Sequence, residues 1–315
     1  MSAANTEGLG RHDARMRKRS ASDDCISMQM PHRRGGSAGF LHEALAAARL
    51  DLAEVLRSRW MVFCGLVYAV LAGVLVLVGL RESSMLGFTG MGRVLMAFSQ
   101  ALTLVLPLLA LTATGQVVGR ARDEGTLELL LSQPIRRSAW ITGVTFTRFA
   151  VLFVPLVVLV VGLSAVAAAT GQSVPWAFVA RVLGVSATLL WAFVGIGMAL
   201  SVFVRNQARA ITYVVLVWGL AVAVLDFGLV ALMLRWRIDA QAVFTLAALN
   251  PVEDARLALL SGLDADLGTL GPVGTYLSTR VGQDLLFIIG LGWPALLGTL
   301  TWLAALIGFR RGDVI

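Results

Sequence analysis

The chain has 315 residues, of which 57% are hydrophobic and only 14% charged, and its mean hydropathy is +0.80. Soluble domains carry about 25% charge, so this composition excludes an ordinary soluble enzyme and points to a protein built for lipid. The formal charge is +7, yet the basic residues sit in the N-terminal arm and beside the apolar runs rather than along one face, which is the layout of topogenic charge and not of a nucleic-acid surface.

Residues 1–40 are polar, rich in Arg, Gly and Ser, and without periodicity, which predicts a disordered arm. No apolar stretch follows the basic cluster RMRKRS, so the arm is not expected to be a cleavable signal peptide, and Met28 and Met30 are candidate later starts. The next segment, 41–59, places Leu41, Leu45, Ala48, Leu52 and Val55 at helical spacing, with Glu43, Arg49, Asp51 and Glu54 on other faces. This predicts an amphipathic elbow helix along the cytoplasmic interface, leading into the first span.

Six segments then reach the roughly 20 apolar residues of a membrane helix: 60–80, 94–118, 149–169, 182–203, 210–234 and 285–308. The fold class expected is therefore all-α and polytopic, with six transmembrane helices. Pro155 and Pro294 fall inside the third and sixth spans, where a bundle tolerates a kink. The words GLSAVAAATG and GIGMAL put small residues in spans three and four, suited to close helix approach within one subunit or between two.

With the N-terminus in the cytoplasm, 19 Lys/Arg fall inside and 7 outside. That satisfies the positive-inside rule and places both termini in the cytoplasm of a bacterial inner membrane. Two polar segments are then long enough to fold: cytoplasmic 119–148 and extracytoplasmic 235–284. No internal repeat stands out, which argues against an inverted-repeat carrier. Cys25 and Cys64 are too differently placed to pair, and His12, His32 and His42 have no ligand-like spacing, so no metal site is expected.

Within 119–148, the run DEGTLELLLSQPIRR predicts a helix of about two turns. Thr126 is the candidate cap, Glu128 lies near the positive dipole end, and Leu127, Leu130 and Leu131 share a face. Pro134 is the stop. Such a leucine stripe has to bury itself, either on the chain's own span ends or on a separate partner.

The pattern Glu124, Gly125, Thr126, Leu127, Glu128, Leu130, Leu131, Pro134 and Arg137 resembles the first cytoplasmic loop of type-2 ABC exporter permeases. The resemblance extends to the elbow, the six spans and the large outer loop before the last span, over about residues 41–315. It implies a type-2 ABC exporter permease fold, with a coupling helix between spans two and three that contacts a cytoplasmic ABC ATPase subunit through its leucines. It also implies a permease homodimer, with ATP and Mg bound by the partner ATPase. The sequence agrees on the last point. A phosphate-binding loop of the form GxxxxGK[ST] needs its lysine, and the single lysine, Lys18, is followed by Arg19. No cofactor or catalytic residue is expected in this chain.

In 235–284, Asn250 is a candidate N-cap, Pro251 sits at the first helical position, Glu253 completes a capping-box arrangement, and Gly262 is a stop. Glu253, Asp254 and Arg256 give this helix a charged face; Leu257, Leu259 and Leu260 give it an apolar one. Such a surface could close the exit of a pathway or seat a periplasmic protein. Together with the word GPVGTYLSTRVG, the segment resembles NosY-type permeases of nitrous oxide reductase maturation. That resemblance implies a periplasmic β-helical partner and a role in copper–sulfide centre assembly. Asp226, an acid within the fifth span, is either a pathway residue or a packing contact, and Gln100, Gln116 and Arg148 are further inward-facing candidates. The alternatives are a generic type-2 exporter of a drug, lipid or polysaccharide, and a non-ABC ion-coupled carrier.

Overall fold

The computed structural model describes residues 37–86, 90–133, 135–224, 249–261 and 283–311. Among these there is no strand. The helices are α1 (Ser37–Arg57), α2 (Arg59–Leu86), α3 (Gly90–Thr114), α4 (Val117–Asp123), α5 (Thr126–Ser132), α6 (Arg137–Ala169), α7 (Trp176–Phe203), α8 (Gln207–Gly219), α9 (Pro251–Leu260) and α10 (Gln283–Arg311). A short π-helical stretch, Leu220–Val224, continues α8. By internal contacts the chain divides after Phe40, and the residues from Leu41 onward form one packed unit.

Four helices among the described residues are long and apolar enough to cross a membrane: Ala97–Asp123, Arg137–Ala169, Trp176–Phe203 and Asp284–Arg311. A fifth crossing arises if Gly39–Arg57 and Val62–Gly73 are taken together, with a 65° bend between them. That bend marks the change from elbow to first span, at Ser58 between α1 and α2. The expected fifth span, 210–234, is described only as far as Val224, as the shorter apolar helix Gln207–Val222. Asp226 and most of the arm 1–40 lie outside the described residues.

The third span differs from its expected start at 149. Helix α6 begins at Arg137 and has 33 residues, about 50 Å at 1.5 Å per residue, against a hydrocarbon core of roughly 30 Å. The extra length stays helical because Ala139, Ile141, Val144 and Thr145 are buried rather than turned to water. What the sequence suggested was loop is therefore a helical extension of the span.

The core is built around α3 and α7, whose apolar windows are each 61% buried, against 28% for α6 and 22% for α10. The first pair forms the centre and the second the periphery. Phe98, Leu102 and Leu106 of α3 meet Leu189 and Phe193 of α7 in one cluster. The most extensive helix pair is α7 with α10. A Cβ on Gly298 would lie 2.7 Å from the Trp191 carbonyl and 2.8 Å from the Ala192 nitrogen, so these backbones touch as only glycine allows. The small residues around Gly195 in α7 thus serve packing within one chain.

Candidate coupling site

The end of the bundle that carries the elbow is assembled on the extension of α6. Helix α1 lies against it so closely that a Cβ on Gly143 would sit 3.0 Å from the Ala48 nitrogen and 3.1 Å from the Ala47 Cβ. Three polar ties flank that contact. The Arg136 N–H donates to Glu43 Oε2 at 3.0 Å, Thr147 Oγ1 donates to the Ala48 carbonyl at 3.2 Å, and Arg148 pairs with Asp51 at 2.6 Å. Asp51 is only 7% exposed and Arg148 14%. Burial pushes the Asp51 carboxyl up from its ordinary range, the Arg148 guanidinium opposes that shift, and neighbouring Glu54 adds to it. Arg148 thus has the structural role of fixing the elbow. Gln116 hydrogen-bonds Gln207 at 3.3 Å, and the Gln100 carbonyl accepts from Thr103 at 2.7 Å.

Helix α5 is set by Gly125 and not by Thr126, which is its first residue rather than its cap. Gly125 is the N-cap at φ +68°, with no side-chain cap bond. Glu124 ends α4, its N–H bonded to Arg120. Gly125 joins the two helices, and its left-handed conformation is easily reached only without a Cβ.

The leucines divide. Leu127 is 2% exposed and packs with Val118, Trp140, Ile141, Met198 and Phe309, and Leu130 is partly buried at the edge of the same cluster. Trp140 stacks on Phe309 at 5.4 Å. The stripe expected to bury in a partner is therefore anchored, through Leu127 and in part Leu130, on the chain's own span ends. This is because α6 carries an apolar N-terminal extension with room for them. Leu129, which the sequence pattern passed over, is 71% exposed. Two residues on from Leu127 is roughly the opposite side of a helix, so the buried Leu127 would have identified it. Glu124, Thr126 and Glu128 are also exposed, and Arg137 is half-buried. Leu131 lies within α5, and Pro134 lies outside the described residues.

Helix α9 carries the expected N-cap. Asn250 Oδ1 accepts from the Val252 N–H at 3.1 Å, and Pro251 follows at the first position. Its surroundings differ from the expectation of an open charged surface. Asn250 and Asp254 are each 2% exposed and Pro251 is buried, while Glu253 and Arg256 pair at 2.7 Å. Val252, Ala255, Ala258 and Leu259 join the main core, against α3, α7 and α10. The physical reason is small-residue packing: a Cβ on Gly290 of α10 would lie 2.6 Å from the Asp254 carbonyl. Two further bonds hold the helix inward. Asn250 Nδ2 donates to the Ala221 carbonyl at 2.6 Å, and Arg256 Nε donates to Thr103 at 3.4 Å. Asp254 keeps one buried carboxylate oxygen without a partner, and burial pushes this acid up to about 7. Leu260 closes the helix, and Gly262 lies outside the described residues.

Residues 45–309, from the elbow to the end of the last span, match the family described as ABC-2 family transporter protein. The chain belongs to that family and is the membrane-spanning permease subunit of an ABC transporter. Its similarity can be placed more closely. It is 30% identical over 255 residues to the probable ABC transporter permease protein NosY of Stutzerimonas stutzeri, covering 78% of this chain and 91% of that one. The probable ABC transporter permease protein NosY of Pseudomonas aeruginosa is 27% identical over 227 residues, covering 69% and 82%. The chain is NosY-like.

Proposed function

We propose that α5 is the coupling helix through which a separate cytoplasmic ABC ATPase, the subunit that binds ATP and Mg, drives this permease. The observation that carries the reading is the split between Leu127, buried in the chain's own core, and Leu129, 71% exposed beside exposed Glu128. One leucine fixes the helix and the other is left for a partner groove. Movement of α5 would pass to α6 and, through the Asp51–Arg148 and Glu43–Arg136 ties, to the elbow. Leu129→Asp puts a charge into that contact. The variant is expected to insert normally and to lose ATPase on affinity purification in mild detergent. Wild-type association and ATP hydrolysis would overturn the assignment.

NosY likeness supports a finer reading. The permease acts as a homodimer in a bacterial inner membrane, with both termini cytoplasmic. It serves assembly of the copper–sulfide centre of nitrous oxide reductase, by export or by remodelling a periplasmic β-helical partner at the outer loop. Buried α9 would relay motion of the spans to that loop. The test is a clean gene deletion: nitrous oxide reduction at the wild-type rate, with a complete centre, would leave a generic exporter in its place. Orientation is read from single cysteines in a cysteine-free background. Gln172→Cys is expected to react with an impermeant thiol reagent in spheroplasts and Ser132→Cys is not; the reverse pattern inverts the topology.

A further inference from the structure

Between the elbow, the cytoplasmic end of the α3–α4 rod, α5 and the α6 extension lies a cavity of about 630 Å³, within the roughly 300–1,000 Å³ of small-molecule sites. Its wall combines opposite charges with apolar surface. Asp51, Glu54 and Glu124 supply carboxylates, Arg120 and Arg148 guanidinium groups, and Leu50, Val117 and Val144 hydrocarbon. The Asp51–Arg148 pair accounts for one charge of each sign. Glu54, Glu124 and Arg120 make no ion pair among the described residues.

A second, independent feature is polar incompleteness. Asp51 Oδ2, Arg148 Nε and the indole N–H of Trp60 are buried without a hydrogen-bond partner, and all three residues line this cavity. Orphaned polar atoms are uncommon in folded proteins; these three are closed off behind the cavity wall, so the charged groups that can meet a ligand are the exposed Glu54, Glu124 and Arg120. Asp51 and Glu54 lie one helical turn apart, and of the two only Asp51 has an ion-pair partner among the described residues, Arg148, so their end of the cavity favours a further positive group. Arg120, with Gln116 beside it, favours an anion. The elbow itself presents exposed Leu41, Leu45, Leu52 and Leu56, an apolar face of the kind that lies in the headgroup region.

We propose that this cavity is a binding site for a zwitterionic phosphate–ammonium headgroup, supplied by a cytoplasmic-leaflet phospholipid of the phosphatidylethanolamine class. The phosphate lies toward Arg120 and the ammonium toward Asp51 and Glu54, while the acyl chains leave along the apolar side of the elbow. Basic pockets at span ends are known to select lipid headgroups by charge; here the added carboxylates select against a purely anionic lipid. The site rests on the cytoplasmic orientation given above, but not on ATPase docking.

The test is native mass spectrometry of the purified full chain, delipidated and then offered phosphatidylethanolamine, phosphatidylglycerol or soluble glycerophosphoethanolamine. One phosphatidylethanolamine per chain is expected, retained at least about tenfold better than phosphatidylglycerol, a difference of about 1.4 kcal/mol. Glu54→Gln and Arg120→Gln, at exposed positions that leave the Asp51–Arg148 pair intact, are each expected to abolish that preference. Equal retention of both lipids, or unchanged selectivity in both variants, overturns the proposal. Equally tight binding of the soluble headgroup overturns the lipid source. Repeating the measurement on the permease–ATPase complex separates the two readings. Lipid retained there supports the site; lipid expelled on assembly shows that the cavity belongs to the ATPase.

Discussion

Helices α5 and α9 are both short, both follow dense turn chemistry, and both carry acids in the first turn and leucines behind them. They end in opposite environments. Helix α5 commits one side chain fully to the core, Leu127, and leaves Leu129 and Glu128 outside. Helix α9 commits its cap, an acid and four apolar residues, and leaves little outside. Periodicity alone gives the same amphipathic reading for both. Neighbours decide: α9 meets Gly290 and can approach backbone to backbone, whereas α5 meets bulky Trp140 and Phe309 and inserts Leu127 fully and Leu130 in part.

That contrast can be broken by mutation, and the largest effect belongs to the anchor of α5. Leu127→Ala should lower stability by about 2–5 kcal/mol, as for other large-to-small core changes. Leu129→Ala should stay within about 0.5 kcal/mol, as exposed positions do. Thermal unfolding of the detergent-purified protein reads both, and equal losses would end the division of labour between the two leucines.

The acid buried in α9 makes a pH-dependent contribution. Its value of about 7 lies above the ordinary 3.8, so folding takes up a proton. The stability associated with neutral Asp254 is fully present below pH 3.8 and is lost as the pH rises toward 7, by at most about 1.4 kcal/mol per unit. Asp254→Asn should flatten that slope in a Tm-against-pH series. A variant that keeps the wild-type slope would mean that Asp254 is not held in the core.

Smaller effects sharpen the comparison at the two caps. Asn250→Ala should cost about 1–2 kcal/mol for the lost cap and also free the Ala221 carbonyl; faster hydrogen exchange at Val252 is the specific sign. Gly125→Ala should cost about 1 kcal/mol through its left-handed backbone, and should weaken ATPase association more than it lowers Tm. An effect on Tm alone would make the turn structural only.

Much of this was legible in the residues. Apolar runs of 20 or more, the elbow pattern, and the Asn250–Pro251 start of α9 are local signals, and each appears as a helix or cap among the described residues except the run 210–234, which is described only as far as Val224. The misplaced details were decided by distant partners. That 137–148 continues a span depends on Ala44, Ala47 and Asp51, about a hundred positions upstream, offering a surface to Gly143 and Arg148. That Asp254 faces inward depends on Gly290. No window along the chain contains both partners, so the pattern supplied the helices but not which face each would present.

The contact between α7 and α10 has a consequence for biosynthesis. The glycine-lined side of α7, with the Trp191 carbonyl at its edge, is covered by Gly298 of the helix that is made after every other described helix. Until α10 enters the membrane, the central helix of the bundle has an open flank facing lipid, with its backbone unusually accessible. A nascent chain stalled before that point would therefore display a recognisable vacancy to membrane-bound quality control.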